Sequence, residues 1–212
     1  MRTAILLLFI LAPVTQAHSQ QAAPPADCGP LQNAYGPYDY TNPGHRRDRL
    51  PIVERAHFTI DVYELRRGTT GPIVGDLDYT LRAFPNHHLA LDAMARLHRQ
   101  QNTDRVGGGE YTLTCWFERA MRFKPADGMV RMIYGTHLFN IGEFAKAEEP
   151  LLEAAKLLPK SPEAHYNVGL LYVRLGDYQQ AREYAEKAYS LGFQLPGLRD
   201  QLIRAGHWPP VD

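Results

Sequence analysis

The sequence predicts an all-α protein in which helical hairpins stack side by side, preceded by an irregular N-terminal region. Three observations predict this fold. Residues 139–193 repeat their own pattern, glycine and alanine recur at matching positions in the two copies, and prolines stand between the copies. Since proline ends a helix and a recurring small residue lets two helices approach closely, each copy is interpreted as one pair of helices.

The repeat has a fixed offset of 34 residues with no gap. Seven pairs of positions agree in kind, namely Gly135 and Gly169, Gly142 and Gly176, Glu143 and Asp177, Phe144 and Tyr178, Ala147 and Ala181, Ala154 and Ala188, and Leu157 and Leu191. The first glycine pair allows close helix contact, and the second pair suits the turn that leaves the first helix. The pattern therefore predicts two units, at 128–161 and 162–195.

A looser unit is predicted at 88–127, with its first helix at 88–100. It is six residues longer than 34, and the excess lies near Gly107, Gly108 and Gly109, which predicts a flexible loop. Residues 196–212 are interpreted as a capping helix at 198–205 and a loose tail that begins at His207. Leu198, Leu202 and Ile203 are expected to close the open end of the stack.

This 34-residue pattern resembles the tetratricopeptide repeat family. The resemblance implies a right-handed stack whose first helices line a concave groove. The chain as a whole, with its opening "CGPLQNAYGPYDYTNP" and its stretch "TLRAFPNHH", also resembles a group of exported bacterial repeat proteins. That second resemblance implies the compartment and the fold, and it implies no particular activity.

The family resemblance also implies which side chains face a bound peptide. In the two clear units these are Met129, Met132, Thr136, Phe139, Asn140, Glu163, Tyr166, Leu170, Val173 and Arg174. In the looser unit they would be Leu89, Asp92, Arg96, Arg99 and Gln100. Some members clamp a terminal carboxylate with a lysine where this chain has Met132 and Tyr166. The predicted groove is more apolar and suits an amphipathic helix or a hydrophobic segment.

The first 17 residues have the pattern of a secretory signal peptide. Arg2 precedes a short apolar run, and small residues Thr15 and Ala17 suit cleavage after Ala17. The alternative is an uncleaved membrane anchor. Attachment of a lipid at Cys28 is disfavoured by the acidic Asp27 before it. We therefore expect an exported protein that is periplasmic or secreted, with no membrane span in the mature chain.

The chain has two cysteines, Cys28 and Cys115. In an exported chain an even count predicts a disulfide, which would close a long loop and stabilise the fold by about 4–5 kcal/mol. The alternative is two unpaired thiols. Cys115 is predicted to lie on the outer side of a second helix, so the bridge would hold the segment that follows Cys28 outside the groove.

The segment 28–43 contains Tyr35, Tyr38 and Tyr40 among glycines and prolines and cannot form a long helix. Three interpretations remain open: an ordered coil packed on the repeats, a ligand mimic that lies in the groove, and disorder. Cys115 favours a coil on the flank of the first unit. The rest of 18–87 is predicted to be irregular with short helices, one capped by Thr59 and ending at Gly68, and one starting at Asp76 and ending at Phe84.

Composition and motifs argue against several other functions. Lysine plus arginine and aspartate plus glutamate both number 23, which disfavours a nucleic acid partner. No phosphate-binding loop, dinucleotide turn or nucleophile elbow is present, so no cofactor and no catalytic residue is predicted. His87 and His88 are adjacent and cannot readily share one metal ion, and His165 is interpreted as a packed core residue.

We therefore expect a non-catalytic bacterial scaffold of the periplasm that binds a protein or peptide partner, an envelope protein, through an apolar concave groove. The alternative is an accessory enzyme or weak hydrolase whose site lies in the N-terminal region. The sequence does not predict the oligomeric state or the identity of the partner.

Overall fold

A computed structural model describes residues 28–208, and the predicted signal peptide lies outside this range. The described residues form α-helices and no strand. In chain order, α1 to α11 span Pro43–Asp48, Leu50–His57, Ile60–Tyr63, Ile73–Ala83, His88–Gln101, Leu113–Phe123, Gly128–Asn140, Phe144–Leu157, Pro162–Leu175, Tyr178–Ser190 and Gly197–Arg204. The predicted all-α fold is therefore confirmed.

The helices from α7 to α10 form two hairpins that pack against each other. Helix α7 packs along α8, α9 packs along α10, and α8 contacts α9. Gly142 and Gly176, which follow α7 and α9, have φ angles of 83° and 79°. Such a left-handed conformation is strained for any residue with a Cβ, so glycine at these two turns directs each chain reversal.

The loop between α5 and α6, which its glycines predict to be flexible, packs against α4. Residues 106–108 form a 3-10 turn, and the side chain of Val106 is buried in the core that contains α4, α5 and α6. A Cβ at Gly107 would lie 2.7 Å from Val74, so the loop fits closely on α4. The extra residues of this unit thus contribute to the core.

Two predicted helix boundaries in the N-terminal region are wrong. Thr59 does precede a helix, but α3 ends at Tyr63 and does not reach Gly68. Asp76 does not start a helix, because α4 begins at Ile73 and Asp76 lies within it. The fully buried carboxylate of Asp76 instead accepts hydrogen bonds from the backbone N–H groups of Thr69 and Thr70, which holds the preceding loop on α4.

The segment after Cys28 lies against α2, α4 and α6. Cys28 and Cys115 form a disulfide with a Cα–Cα distance of 5.2 Å. The guanidinium of Arg119, which is 1% exposed, donates to the carbonyl oxygens of Cys28 and Pro30, at 2.8 Å each. Because the buried arginine satisfies two backbone acceptors and the disulfide closes a long loop, this segment is fixed to α6.

The aromatic part of the same segment packs on α2 and on the end of α4. Tyr35 and Tyr38 contact the cluster that contains Phe84 and Val53, and the ring of Tyr40 lies 4.3 Å from that of His87. This is the coil on the flank that the position of Cys115 predicts, and the ligand-mimic interpretation is wrong because these tyrosines pack away from α7 and α9.

Asn86, His87 and His88 anchor this packing through buried hydrogen bonds. Asn86 accepts from the N–H of Tyr40 and donates to the carboxylates of Asp39 and Asp127. His87 accepts from Ala90 N–H at the start of α5, so its other nitrogen, Nε2, carries the proton shared with Glu54. The paired histidines are therefore structural, with His88 hydrogen-bonded to Asp127.

Helix α11 covers the last hairpin. Leu198 and Leu202 are fully buried against Ala181 and Ala185 of α10, whereas Ile203 is 47% exposed and does not contribute to this contact. The predicted loose tail is wrong for its first two residues. His207 stacks on Tyr178 at 4.6 Å and Trp208 lies edge-on to Tyr189, so both are held on the last hairpin.

Candidate functional site

A cavity of about 440 Å³ opens on the side of the stack formed by α5, α7 and α9. Each of the three helices is the first helix of its hairpin, so the cavity crosses all three units. Its lining residues are Asp92, Ala95, Arg99, Met132, Ile133, Thr136, His137, Asn140, Glu163, Tyr166, Asn167, Phe193 and Leu195. Its size is in the range of sites that take a small molecule or a few side chains of a partner.

The apolar part of the lining comes from α7 and from the residues around the end of α10. Met132 and Ile133 are half-buried, and the ring of Phe193 stacks on that of Tyr166 at 4.0 Å. The hydroxyl of Tyr166 accepts a hydrogen bond from Leu198 N–H at 3.2 Å, which connects the cavity wall to α11. Leu195 is 63% exposed at the rim, a large apolar surface that a partner could cover.

The polar part of the cavity contains Arg99, held by His137. The Nη1 atom of Arg99 donates to His137 Nδ1 at 3.3 Å, so this ring is neutral and carries its proton on Nε2. Burial, with smaller contributions from the neighbouring His98 and Arg99, lowers the pKa of His137 to about 4. The imidazole therefore orients the guanidinium near neutral pH without cancelling its charge.

The structure brings half of the predicted groove residues of the clear units to this cavity. These are Met132, Thr136, Asn140, Glu163 and Tyr166, and from the looser unit Asp92 and Arg99 also line it. Asn167, which was not among the predicted residues, donates to the hydroxyl of Thr136 at 3.3 Å and joins α9 to α7. These residues form the candidate site.

The other predicted groove residues lie elsewhere. Phe139 and Leu170 line a gap of about 20 Å³ between α7 and α9, Val173 packs near α11, and the guanidinium of Arg174 lies over the ring of Phe139. In the looser unit, Arg96 donates to the carbonyl of Tyr63 and so ties α5 to α3. Met129, Phe139, Leu170, Val173, Arg174, Leu89, Arg96 and Gln100 do not line this cavity, and their contact with a partner stays a prediction.

Phe193 and Leu195 are the lining residues that sequence reasoning missed most clearly. They follow α10 at the point where the repeat pattern expects a proline, and they instead form one wall of the cavity. Phe193 stands 34 residues after Pro159, where the repeat would have a second proline, and this departure could have indicated a special role for Phe193. A large aromatic residue in place of a helix-ending proline must be covered, and in this chain Tyr166 covers it.

A second cavity, of about 290 Å³, shares His137 with the first. Its lining includes His98, Asp104, Thr112, Tyr134 and Lys146, and it lies beside the loop that joins α5 to α6. The rings of His98 and His137 meet edge to face at 5.0 Å. Among residues 28–208 no group of three metal-binding side chains has a geometry that could hold a metal ion.

In the described part of the N-terminal region, Asp76 and His57 form an aspartate–histidine pair of the kind found in hydrolases. Asp76 Oδ1 lies 3.0 Å from Nδ1 of His57, and the ring of His57 stacks on Tyr79. The hydroxyl of Thr70, however, donates to Asp76 at 2.5 Å. In a catalytic triad the nucleophile contacts the histidine nitrogen that faces away from the aspartate, which in His57 is Nε2. Thr70 contacts Asp76 instead, so it stabilises the loop before α4 and does not form a triad.

The stacked hairpins and the concave cavity define a helical-repeat protein of the kind that binds partners on its inner face. The family model of the tetratricopeptide repeat matches residues 134–196. The predicted resemblance to this family is thus confirmed over these residues. None of the curated proteins compared with the sequence matches it.

The chain is similar to solved structures, and PilF, with a TM-score above 0.5, shows the same fold. PilF of Pseudomonas aeruginosa is 20% identical, with a TM-score of 0.55 over 77% of this chain and 71% of that chain. A double mutant of MamA from RS-1 is 18% identical, with a TM-score of 0.49 over 69% and 78% of the two chains. Among residues 28–208, no helix has the length and apolarity needed to cross a membrane.

Proposed function

We propose that the protein is a non-catalytic scaffold of the bacterial periplasm, which holds a protein or peptide segment of an envelope protein in the cavity formed by α5, α7 and α9. One observation carries the proposal. The cavity crosses all three first helices, has a partly exposed apolar lining that includes Met132 and Leu195, and is not filled by the chain's own segment 28–42. Tetratricopeptide repeats bind partners on this face.

Two further features support the compartment. The Cys28–Cys115 disulfide is of a kind that forms in an oxidising compartment and is rare in the cytosol. The first 17 residues have the composition of a signal peptide. Together they favour export, and a scaffold in the envelope is the function that suits both the location and the open cavity.

The test is photocrosslinking in intact cells that express the protein from its own gene. A photoreactive residue replaces Asn140, which is exposed at the cavity, or Ala145, which is exposed on α8 and does not line it. We expect a defined adduct with an envelope protein from position 140 and none from position 145. Met132→Glu should abolish the adduct at 140, because it places a charge on the apolar lining.

Met132 is the better site for this variant than Tyr166, since the Tyr166 hydroxyl also accepts from Leu198 N–H and its loss would loosen α11. Leu152→Glu on α8 is the matched control, because Leu152 is also half-buried but lies outside the cavity. Equal adducts from positions 140 and 145, or an adduct at 140 that survives Met132→Glu, would contradict the proposed function.

A further inference from the structure

We propose that the segment bound in this cavity is an amphipathic helix with an acidic side chain on one side of its apolar face, facing Arg99, and a basic side chain on the other, facing Glu163. This inference rests on the proposed function, because it names the chemistry of the segment that occupies the same cavity.

Arg99 supplies an uncompensated positive charge on the cavity wall. Among residues 28–208, no carboxylate lies within 4 Å of its guanidinium, and its hydrogen bond goes to the neutral ring of His137. Asp92 lines the same cavity, but it is already paired with Arg96 at 2.8 Å. A guanidinium has five N–H donors, so Arg99 retains donors for a carboxylate of the partner.

Glu163 supplies a negative charge on the opposite wall, in the first turn of α9. Its carboxylate accepts from the hydroxyl of Ser161 at 2.9 Å, and no basic side chain among the described residues lies within 4 Å of it. The start of a helix stabilises an acid at this place. Its exposure at the cavity leaves it free to pair with a lysine or arginine of the partner as well.

Most of the remaining cavity surface is apolar, although Thr136, Asn140 and Asn167 also line it. Met132, Ile133 and Tyr166 come from α7 and α9, and Leu195 extends the apolar surface at the rim. A helix that binds such a surface inserts side chains spaced at i, i+3, i+4 and i+7. A volume of about 440 Å³ suits a few such side chains, with charged residues of the same helix on either side.

The chain's own terminal segments do not have this chemistry. Residues 18–27 contain no lysine, arginine or large aliphatic side chain, and residues 209–212 contain no base. A free carboxyl terminus would by itself supply a carboxylate for Arg99 but no base for Glu163. An internal segment that carries both charges is therefore the better complement to this cavity.

The experiment uses four 16-residue helical peptides with acetylated and amidated ends and the same leucine face. The flanking positions carry glutamate on one side and lysine on the other, glutamate on both sides, lysine on both sides, or glutamine on both sides. Fluorescence anisotropy against the exported, disulfide-bonded protein should show that the mixed-charge peptide binds about five- to tenfold more tightly than the glutamine peptide, as expected for two partly exposed ion pairs.

Charge reversal should change this ranking in opposite directions. With Arg99→Glu, the all-lysine peptide should bind most tightly, because both walls are then negative. With Glu163→Lys, the all-glutamate peptide should bind most tightly, because both walls are then positive. Lys187→Glu is the control, because Lys187 is exposed on α10 outside the cavity, and it should leave the ranking unchanged. Circular dichroism checks that each variant keeps its helical content.

Three outcomes would overturn the inference. In the first, the glutamine peptide binds as tightly as the mixed-charge peptide, or no peptide binds. In the second, a glutamine peptide with a free carboxyl end binds more tightly than the mixed-charge peptide, which would assign Arg99 to a chain terminus. In the third, the protein self-associates and Arg99→Glu abolishes this, which would assign the cavity to a second copy. The crosslink at Asn140 tests the proposed function separately, since it depends on the apolar lining.

Discussion

The imidazole of His137 combines two roles that its position in the sequence does not reveal. It lies at the wall between the two cavities and accepts a hydrogen bond from Arg99, and it is 3% exposed. Burial, His98 and Arg99 hold its pKa near 4, so the ring is neutral in the folded protein at pH 7. The residue therefore links the charge of Arg99 in the cavity to the protonation of a buried group.

Protonation of His137 is predicted to destabilise the fold in acid. The ordinary pKa of a histidine is 6.5 and that of His137 is about 4 in the folded protein, so the unfolded chain binds the proton more tightly. The stability that depends on the neutral ring is complete above pH 6.5 and is lost as the pH falls towards 4, by at most about 3 kcal/mol. Urea unfolding at a series of pH values measures this loss.

The control for this prediction is His137→Gln, whose amide oxygen can still accept from Arg99 and does not titrate. The variant should show a smaller loss of stability between pH 6.5 and pH 4 than the wild type, while the contributions of His87 and His98, whose pKa values burial also lowers, remain. Identical pH profiles for the two proteins would contradict the assignment of this loss to His137.

At the scale of elements, the repeat was predictable because it is local. Each hairpin follows from glycines, alanines and prolines at a fixed spacing, and α7 to α10 lie where this spacing places helices. The start of α4 was not predictable in the same way. An aspartate before an apolar run has the pattern of a helix cap. Asp76 instead accepts a hydrogen bond from a loop that folds back on the helix. No local sequence pattern encodes such a contact.

Close packing of α7 on α8 depends on Gly135, and this is testable against a second helical glycine. A Cβ at Gly135 would lie 2.5 Å from Leu151 Cγ and 3.1 Å from the Leu151 backbone nitrogen, whereas a Cβ at Gly75 in α4 would meet nothing within 4 Å. We expect Gly135→Ala to lower the free energy of unfolding by about 1–3 kcal/mol. Gly75→Ala should raise it by about 0.5–1 kcal/mol, because alanine favours the helix.

Urea unfolding at pH 7 measures both changes. Both variants add one methyl group to a helix. If their changes in the free energy of unfolding have opposite signs, the difference is due to packing and not to helix propensity. A stabilised Gly135→Ala protein would mean that Leu151 can move aside, and it would remove the close approach as the reason for glycine at this position.

At the scale of the whole molecule, the side of the stack on which the cavity lies could be predicted from the repeat, but its walls could not. The family pattern places Met132 and Tyr166 on the inner face, and both line the cavity. Phe193 and Leu195 enter the lining because the chain departs from the pattern after α10. The N-terminal segment lies outside the cavity because Cys115 and Arg119 hold it to α6. The disulfide in this long-range contact could be predicted from the two cysteines, whereas the role of Arg119 could not be predicted from the sequence.

The described core consists of separate clusters along the stack, so the last hairpin should unfold independently when its cover is weakened. Leu198 is fully buried, and its Cδ2 lies 2.5 Å from the position that a Cβ of Gly169 would take, so α11 packs closely on α9. Leu198→Ala should cost about 2–4 kcal/mol. Hydrogen exchange should rise in α9 and α10 and stay unchanged in α5 and α6. The control is Ile203→Ala, on the exposed face of α11, which should change neither the free energy of unfolding nor the hydrogen exchange of these helices. Faster exchange throughout the stack would show that the repeats unfold as one unit.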